Sequence, residues 1–408
     1  MHASRSYRSL VATFALALAS SLNAGCSDDS TDNDAGVSEQ EVIENYAANV
    51  EANYADALDT ATALHAAAHE LTEAPSKKLL AEARDAWLAS RDPYGLSEAF
   101  RFYEGPIDDS ETGPEGLINA WPIDESYIDY VTDVDTDGAE VVMNTGIINL
   151  PDDFPKITED VLIEANEAAG ETSISTGYHA IEFLLWGQDK SDDGPGDRPY
   201  TDYLTDGDGT HENQDRRAQY LLTTADLLVS NLSSVHDQWK AGDDNYRAAF
   251  EAAPVKDSLV KILTGMGALA GAELAQERMN VAYEDMDQEN EHSCFSDNTV
   301  ADLHNNATSV QNVLLGKYGE NDGPGIDELI AAKDSKLAEE MREQIQTAID
   351  AIDAIEGPFD QAIKDLTDDG EDGPNRQHIA AAISELKAFQ DNCSLAATKL
   401  GLELSFEE

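Results

Sequence analysis

Basic side chains are scarce in this chain. Its 408 residues carry 25 Lys and Arg against 82 Asp and Glu, a formal net charge of −57. A surface of that sign repels nucleic acid and anionic lipid head groups and draws in cations, so a nucleic-acid partner is excluded. The acids are scattered from end to end, so no single site can use them all. A carboxylate-covered surface that stays soluble at high ionic strength accounts for the bulk of them, and clusters of Asp therefore say little about metal binding. Strand-like alternation is rare and β-branched residues are sparse, which argues against a sheet-based fold. Most enzyme signatures are missing. There is no H-E-x-x-H: His69-Glu70 is followed by Glu73 where the second ligand should stand, and His211-Glu212 by Asp215. No P-loop and no G-x-S-x-G occurs. Gly265, Gly267 and Gly271 miss the dinucleotide-binding spacing by one residue and follow no strand. Gly267 and Gly271 read better as a close helix–helix contact.

Long apolar runs are also lacking. The N-terminal one, Leu10 to Leu22, is about 13 residues long, short of the roughly 20 that cross a bilayer. Arg5 and Arg8 precede it and small residues follow, the pattern of an export signal. Ala24-Gly25-Cys26 resembles a bacterial lipoprotein cleavage site, with Cys26 as the lipidated residue and Leu22 one position further back than usual. Residues 1–25 are thus expected to be a lipoprotein signal peptide. Residues 26–39, rich in Ser, Asp, Thr and Gly, are expected to be a flexible acidic tether. Contact with the membrane would run through this anchor alone, and Ser27 favours the outer membrane by analogy with bacterial sorting. Cysteine is nearly absent otherwise. Cys294 and Cys393 remain, either as a disulfide or as two buried thiols. A bridge would close a loop of about a hundred residues and stabilise by roughly 4 kcal/mol if chain entropy governs it.

What is present is helical periodicity. Val42, Tyr46, Val50, Tyr54, Leu58, Ala61 and Leu64 recur at spacings of three and four, which predicts a helix over 38–72. Pro75 separates it from a second expected helix over 79–103, closed by Gly105-Pro106. A turn-rich stretch follows to Pro155. Further helices are expected over 158–167, 174–186, 214–239, 257–285, 300–318, 335–355 and 376–400, with a Gly-, Asp- and Pro-rich loop over 187–213. The chain is predicted to be all-α. About 380 residues past the signal exceed what one core usually holds, so two antiparallel bundles are expected, 40–212 and 213–408.

Three constellations could carry chemistry. His65 and His69 share a helix face at a workable metal spacing, but no third ligand is evident. Asp133, Asp135, Asp137 and Gly138 copy the start of a calcium loop, yet the closing Glu is replaced by Asn144. The sharpest feature is Gly177-Tyr178-His179-Ala180-Ile181-Glu182, followed by Phe183-Leu184-Leu185-Trp186. His179 and Glu182 project from one helix face beside an apolar run, so the pair is expected to be buried. A buried carboxylate needs a partner, and here it could be the imidazole, an Arg or a metal. Imidazole with carboxylate suits zinc or iron; on spacing alone a structural hydrogen-bonded pair is the favoured reading over a metal site.

The segment Gly177-x-His179-x-x-Glu182 resembles the G-x-H-x-x-E motif of the imelysin-like family. Ala86-Trp87 to Tyr94, Glu98 to Asp108, Asn119 to Asp124 and Glu291 to Asn298 resemble its iron-regulated-protein-A branch. The likeness runs over roughly 40–400. It implies two helical bundles related by a pseudo-repeat, with the functional site between them. It also implies an exported or surface-anchored bacterial protein linked to iron uptake. Gly271-Ala272-Glu273 lays over Gly177-Tyr178-His179, but Gln276 then stands where Glu182 does, so a second copy of the site is not expected. By the resemblance, Glu98 is a third metal ligand beside His179 and Glu182. Arg101 is a partner to a carboxylate, and Gly177 and Arg91 stand beside the site.

Three functions remain open at this point. One is an anchored protein that captures or presents iron, or an iron-containing ligand such as haem or a chelate, for a partner transporter or surface protein. Another is a zinc-dependent peptidase, which needs a third ligand, an open position for water and a general base that the motif does not supply. The last is a scaffold in which the His–Glu pair is structural.

Overall fold

Ser38 begins the fold as the N-cap of the first helix, in a reciprocal capping box with Glu41. The computed structural model describes residues 36–134, 138–191, 194–242, 244–404 and 406. The expected signal peptide, its Cys26 and most of the tether lie outside them. Val37 to Glu408 form one compact unit.

The helix α1, Glu39–Glu73, buries the apolar stripe read from the sequence, from Val42 to Leu71. A turn of three residues leads into α2, Lys77–Gly95. This helix ends eight residues before the expected limit. Pro93 lies in its last turn, and beyond it Phe102 and Glu104 take positive φ, at 72° and 54°. There the carboxylate of Asp108 gathers the N–H groups of Phe102, Tyr103 and Gly105. A local side-chain acceptor has replaced the helix as partner for these amides. Only a 3₁₀ turn, Glu98–Phe100, interrupts the exit.

The turn-rich stretch holds short helical turns and a small hairpin, β1 Val131–Val134 paired antiparallel with β2 Glu140–Met143. Of the calcium-like run, Asp133 lies on β1, and residues 135–137 lie outside the described residues. The motif helix α3, Gly177–Trp186, is buried at every position. After the expected loop comes α4, Gln214–Trp239. Next is α5, Val255–Asp285, the described helix long and apolar enough to cross a membrane, but most of it is buried inside the fold as a core helix. Its middle, Leu269–Asn280, is π-helical. Then follow α6 Thr299–Leu315, α7 Ser335–Asp353 and α8 Pro374–Leu400.

The chain is mostly helical, as the periodicity predicts. Helix α1 packs on α2 and α4, and α3 packs on α4 and α2. In the second half α8 packs on α7 and α5, and α6 on α7. The two sets meet where α6 lies against α2. Thus α4 sits with α1 and α3, and the expected boundary at 212/213 falls in front of a helix that packs with the first half. A Cβ on Gly271 would come within 2.1 Å of Gln390 on α8, so this glycine does mark a close helix contact. Gly267 instead faces the ring of Phe406.

Candidate functional site

The site is assembled along the line where α2 and α6 meet, with α3 and α5 beside them. Gly177 starts α3 at φ 86°, and a Cβ there would stand 2.5 Å from the Ile118 carbonyl oxygen. Only glycine fits both the conformation and the space. The Trp87 indole on α2 donates to the Tyr178 carbonyl at 2.9 Å, fixing the first turn of α3 against α2. His179 and Glu182 then point inward, 1% and 0% exposed.

Nδ1 of His179 lies 2.9 Å from Glu182 Oε2. The other carboxylate oxygen accepts from Ser296 N at 2.9 Å and Ser296 Oγ at 2.7 Å. Burial pushes the Glu182 carboxyl up to about 8, against the Ser296 hydrogen bonds. Burial, reinforced by the Arg91 guanidinium, lowers His179 well below its ordinary value. Both shifts disfavour the charged forms of the two groups. Because Glu182 engages Nδ1, the carboxylate stands behind the ring, and the opposite nitrogen, Nε2, is buried with no partner.

A second histidine meets the first. The loop between α5 and α6 carries His292, whose ring packs edge-to-face on His179 with centroids 4.8 Å apart. Its Nδ1 lies 3.2 Å from Asp302 Oδ2 on α6, off the angle of a good hydrogen bond. Burial and the nearby Arg278 push His292 down to about 3. Asp302 is completely buried. It accepts both Nε and Nη2 of Arg91 at 3.1 Å, together with Ser293 Oγ and Asn298 Nδ2. Burial alone would raise its carboxyl, but Arg91 and His292 outweigh it and hold the group far below the usual carboxylate range. Arg91 also donates to Asn119 at 2.6 Å and lies 4.9 Å over the Tyr178 ring.

A third group completes the cluster. Glu98 Oε2 accepts from Arg278 at 2.7 Å and Arg101 at 3.1 Å, while its Oε1 is buried without a partner. Arg278 also binds Glu273 through Nε and Nη2 at 3.0 and 2.8 Å, and Asn306 at 2.5 Å. Arg101 reaches on to Glu115 at 2.8 Å. Glu273 and Arg278 are five residues apart. In an α-helix such residues diverge by about 140°; the π-helical segment of α5 brings them onto one face. Glu273 is held at about 2: burial opposes this, but Arg278 and Arg101 prevail.

The structure therefore brings His179, Glu182, Gly177 and Arg91 to one place, and pairs Glu98 with Arg101. The expected ligand set of His179, Glu182 and Glu98 is not assembled ready for a metal. Among the described residues no three His, Cys, Asp or Glu side chains are grouped to hold one. Glu182 sits behind the imidazole, and Glu98 is tied to two guanidiniums. The donor chemistry still fits a cation, since His179 Nε2 and Glu98 Oε1 are buried oxygen and nitrogen atoms lacking partners. The disulfide is a correction: Cys294 and Cys393 are both free. Cys294 lies in the loop near Glu182 and Glu291, whereas Cys393 faces the core from α8. His65 and His69 do not form a site either, for His65 pairs with Asp226 at 2.8 Å and His69 lies near Glu73.

A mostly helical fold with a buried His–Glu motif where its helix sets meet places the chain among the imelysin-like proteins. A model of the imelysin family, peptidase family M75, matches residues 50–392. That is most of the chain, and the protein belongs to this family. It is 25% identical over 318 residues to iron-regulated protein A of Synechococcus elongatus, covering 76% of this chain and 73% of that one. A crystal structure of an iron-regulated protein A precursor from Parabacteroides distasonis shares the fold, with a TM-score of 0.65 at 20% identity. It covers 90% of this chain and 97% of the other.

Proposed function

We propose that the protein is an iron-acquisition lipoprotein, anchored through Cys26 to the bacterial envelope, that binds iron or an iron-containing ligand at the His179 centre. The observation that carries this reading is His179 Nε2, a ring nitrogen buried without a partner while its Nδ1 is held by Glu182. An unmet buried polar atom costs about 1–3 kcal/mol, and a cation would supply the missing partner. Imidazole and carboxylate are donors that suit iron. The surrounding cluster sets four carboxylates, Glu98, Glu115, Glu273 and Asp302, against the three guanidiniums of Arg91, Arg101 and Arg278, a balance that favours a positive guest. The name iron-regulated protein A, borne by the relative and the structural neighbour, supports the same reading.

A zinc peptidase, which needs three protein ligands, is less well supported, because among the described residues no three His, Cys, Asp or Glu side chains are grouped to hold a metal. A scaffold role would follow if no ligand binds. The test is anaerobic titration of the protein from residue 27 onward with ferrous iron, and with zinc for comparison, in salty buffer that screens loose surface binding. The proposal expects one tight iron, absent in His179→Ala. Tight zinc with peptide hydrolysis would favour the peptidase, and no tight ligand the scaffold. Labelled fatty acid should enter the full chain and not Cys26→Ala.

A further inference from the structure

We infer that His292 is the second imidazole of the His179 centre, with Glu182 and Asp302 as positioning residues that hold the two rings by Nδ1 and turn both Nε2 atoms to one first-row divalent cation. This rests on the metal-binding reading above and changes its ligand set. The motif Glu becomes a positioning residue, and a histidine more than a hundred residues away becomes a ligand.

The geometry has two parts. A metal–nitrogen distance of about 2.1 Å puts an imidazole centre about 3.2 Å from the ion, so two rings bound at angles of about 90–110° have centres about 4.5–5.2 Å apart. The observed separation is 4.8 Å, with the rings crossing at 69°, inside that range. An ordinary edge-to-face contact spans about 4.5–7 Å, so distance alone does not decide. The carboxylate behind each ring does. His179 Nδ1 stands 2.9 Å from Glu182 in hydrogen-bonding geometry, and His292 Nδ1 stands 3.2 Å from Asp302, in ion-pair range but off the hydrogen-bond angle. Metal-bound imidazoles commonly rest their other nitrogen on a carboxylate in this way. Two such pairs face each other here, all four groups at most 2% exposed.

The carboxylates are themselves anchored. Ser296 N and Oγ hold Glu182, and Arg91 grips both oxygens of Asp302. Ser293 and Ser296, on the same loop as His292, tie that loop to Asp302 and to Glu182 in turn. One loop therefore positions one ligand and the support of the other. Two protein nitrogens leave several positions on the ion open, which suits iron that arrives with ligands of its own, such as a chelate, or that draws in Glu98 through its unpartnered Oε1.

The experiment is X-ray absorption on the protein from residue 27 onward, loaded with one ferrous iron under anaerobic conditions, counting imidazoles from their multiple scattering. Two imidazoles are expected in the unsubstituted protein and one in His292→Gln. Glu182→Gln should keep both and bind iron roughly 10–100-fold more weakly. One imidazole in the unsubstituted protein, or loss of a carboxylate ligand in Glu182→Gln, would overturn the inference while leaving iron binding intact. Failure of the unsubstituted protein to take stoichiometric iron would overturn the proposed function, and this inference with it. The imidazole count does not depend on the folding of any variant.

Discussion

Replacing Arg91 by Met isolates what holds the site together. The Arg91 side chain is 1% exposed and meets Asp302, itself 0% exposed, through two hydrogen bonds of 3.1 Å. Methionine keeps much of the stem but leaves a carboxylate in the interior without its cation. Breaking a buried pair on one side costs about 3–5 kcal/mol. Ser293 and Asn298 still donate to Asp302, so the lower end of that range is expected. Urea unfolding followed by circular dichroism at pH 7 measures the loss. The double variant Arg91→Met/Asp302→Leu removes both charges and should recover most of it, since apolar replacement of a buried pair is often neutral. A single-variant loss below about 1 kcal/mol, or a double variant as unstable as the sum of the singles, would refute the assignment of Asp302 as a charge dependent on Arg91.

Gly177→Ala should destabilise by at least about 1–3 kcal/mol from its positive φ, and an unchanged melting temperature would contradict the close approach to Ile118. Asp129 is held at about 2, burial being outweighed by Arg198 and Arg217, against an ordinary 3.8. Its folded value is depressed, so its stabilisation is present above the ordinary value and is lost as pH falls through about 2; it is worth about 2 kcal/mol, and a urea midpoint that stays flat between pH 4 and 2 would speak against it. Glu291 has the opposite sign: burial raises it to about 9, so the fold loses stability as pH climbs from about 5 towards 9, and Glu291→Gln should flatten that slope. Thiol titration of the denatured protein from residue 27 onward should find two free thiols, with no change in melting temperature on adding reductant; a single bridge would show neither.

Much of the fold was legible because apolar spacing reports helices directly. The helices expected over 38–72, 214–239 and 335–355 come within two residues of the helices that formed. The end of α2 was not legible, because Asp108 reaches back to amides that apolar spacing does not register. The hairpin at β1 and β2 escaped notice for a similar reason: its residues are largely exposed, so no alternation of burial marks it.

The centre of the site was half legible. A His and a Glu three apart beside Phe183 to Trp186 announce a buried pair, and the glycine before them announces a tight entry. Spacing could not say that the carboxylate would turn to Nδ1 and stand behind the ring. His292 and Ser296 lie in the segment 291–298 that marks the family likeness, but nothing local gives them a task. Asp302 could have been suspected, since it falls on the apolar face of α6 with Leu303, Ala307 and Val310, where a lone Asp needs a partner. Arg278 and Glu273 were beyond reach, because their pairing depends on a π-helical segment that α-helical spacing does not foresee. The disulfide was expected from cysteine number alone, which carries no information on whether two thiols share a place.

The most direct test of the iron-binding account is elemental analysis of the protein from residue 27 onward after anaerobic equilibration with ferrous iron at high salt, beside His179→Ala. One iron per chain in the first and none in a folded His179→Ala is the expected result. Equal iron in both, or none in either, would contradict the account.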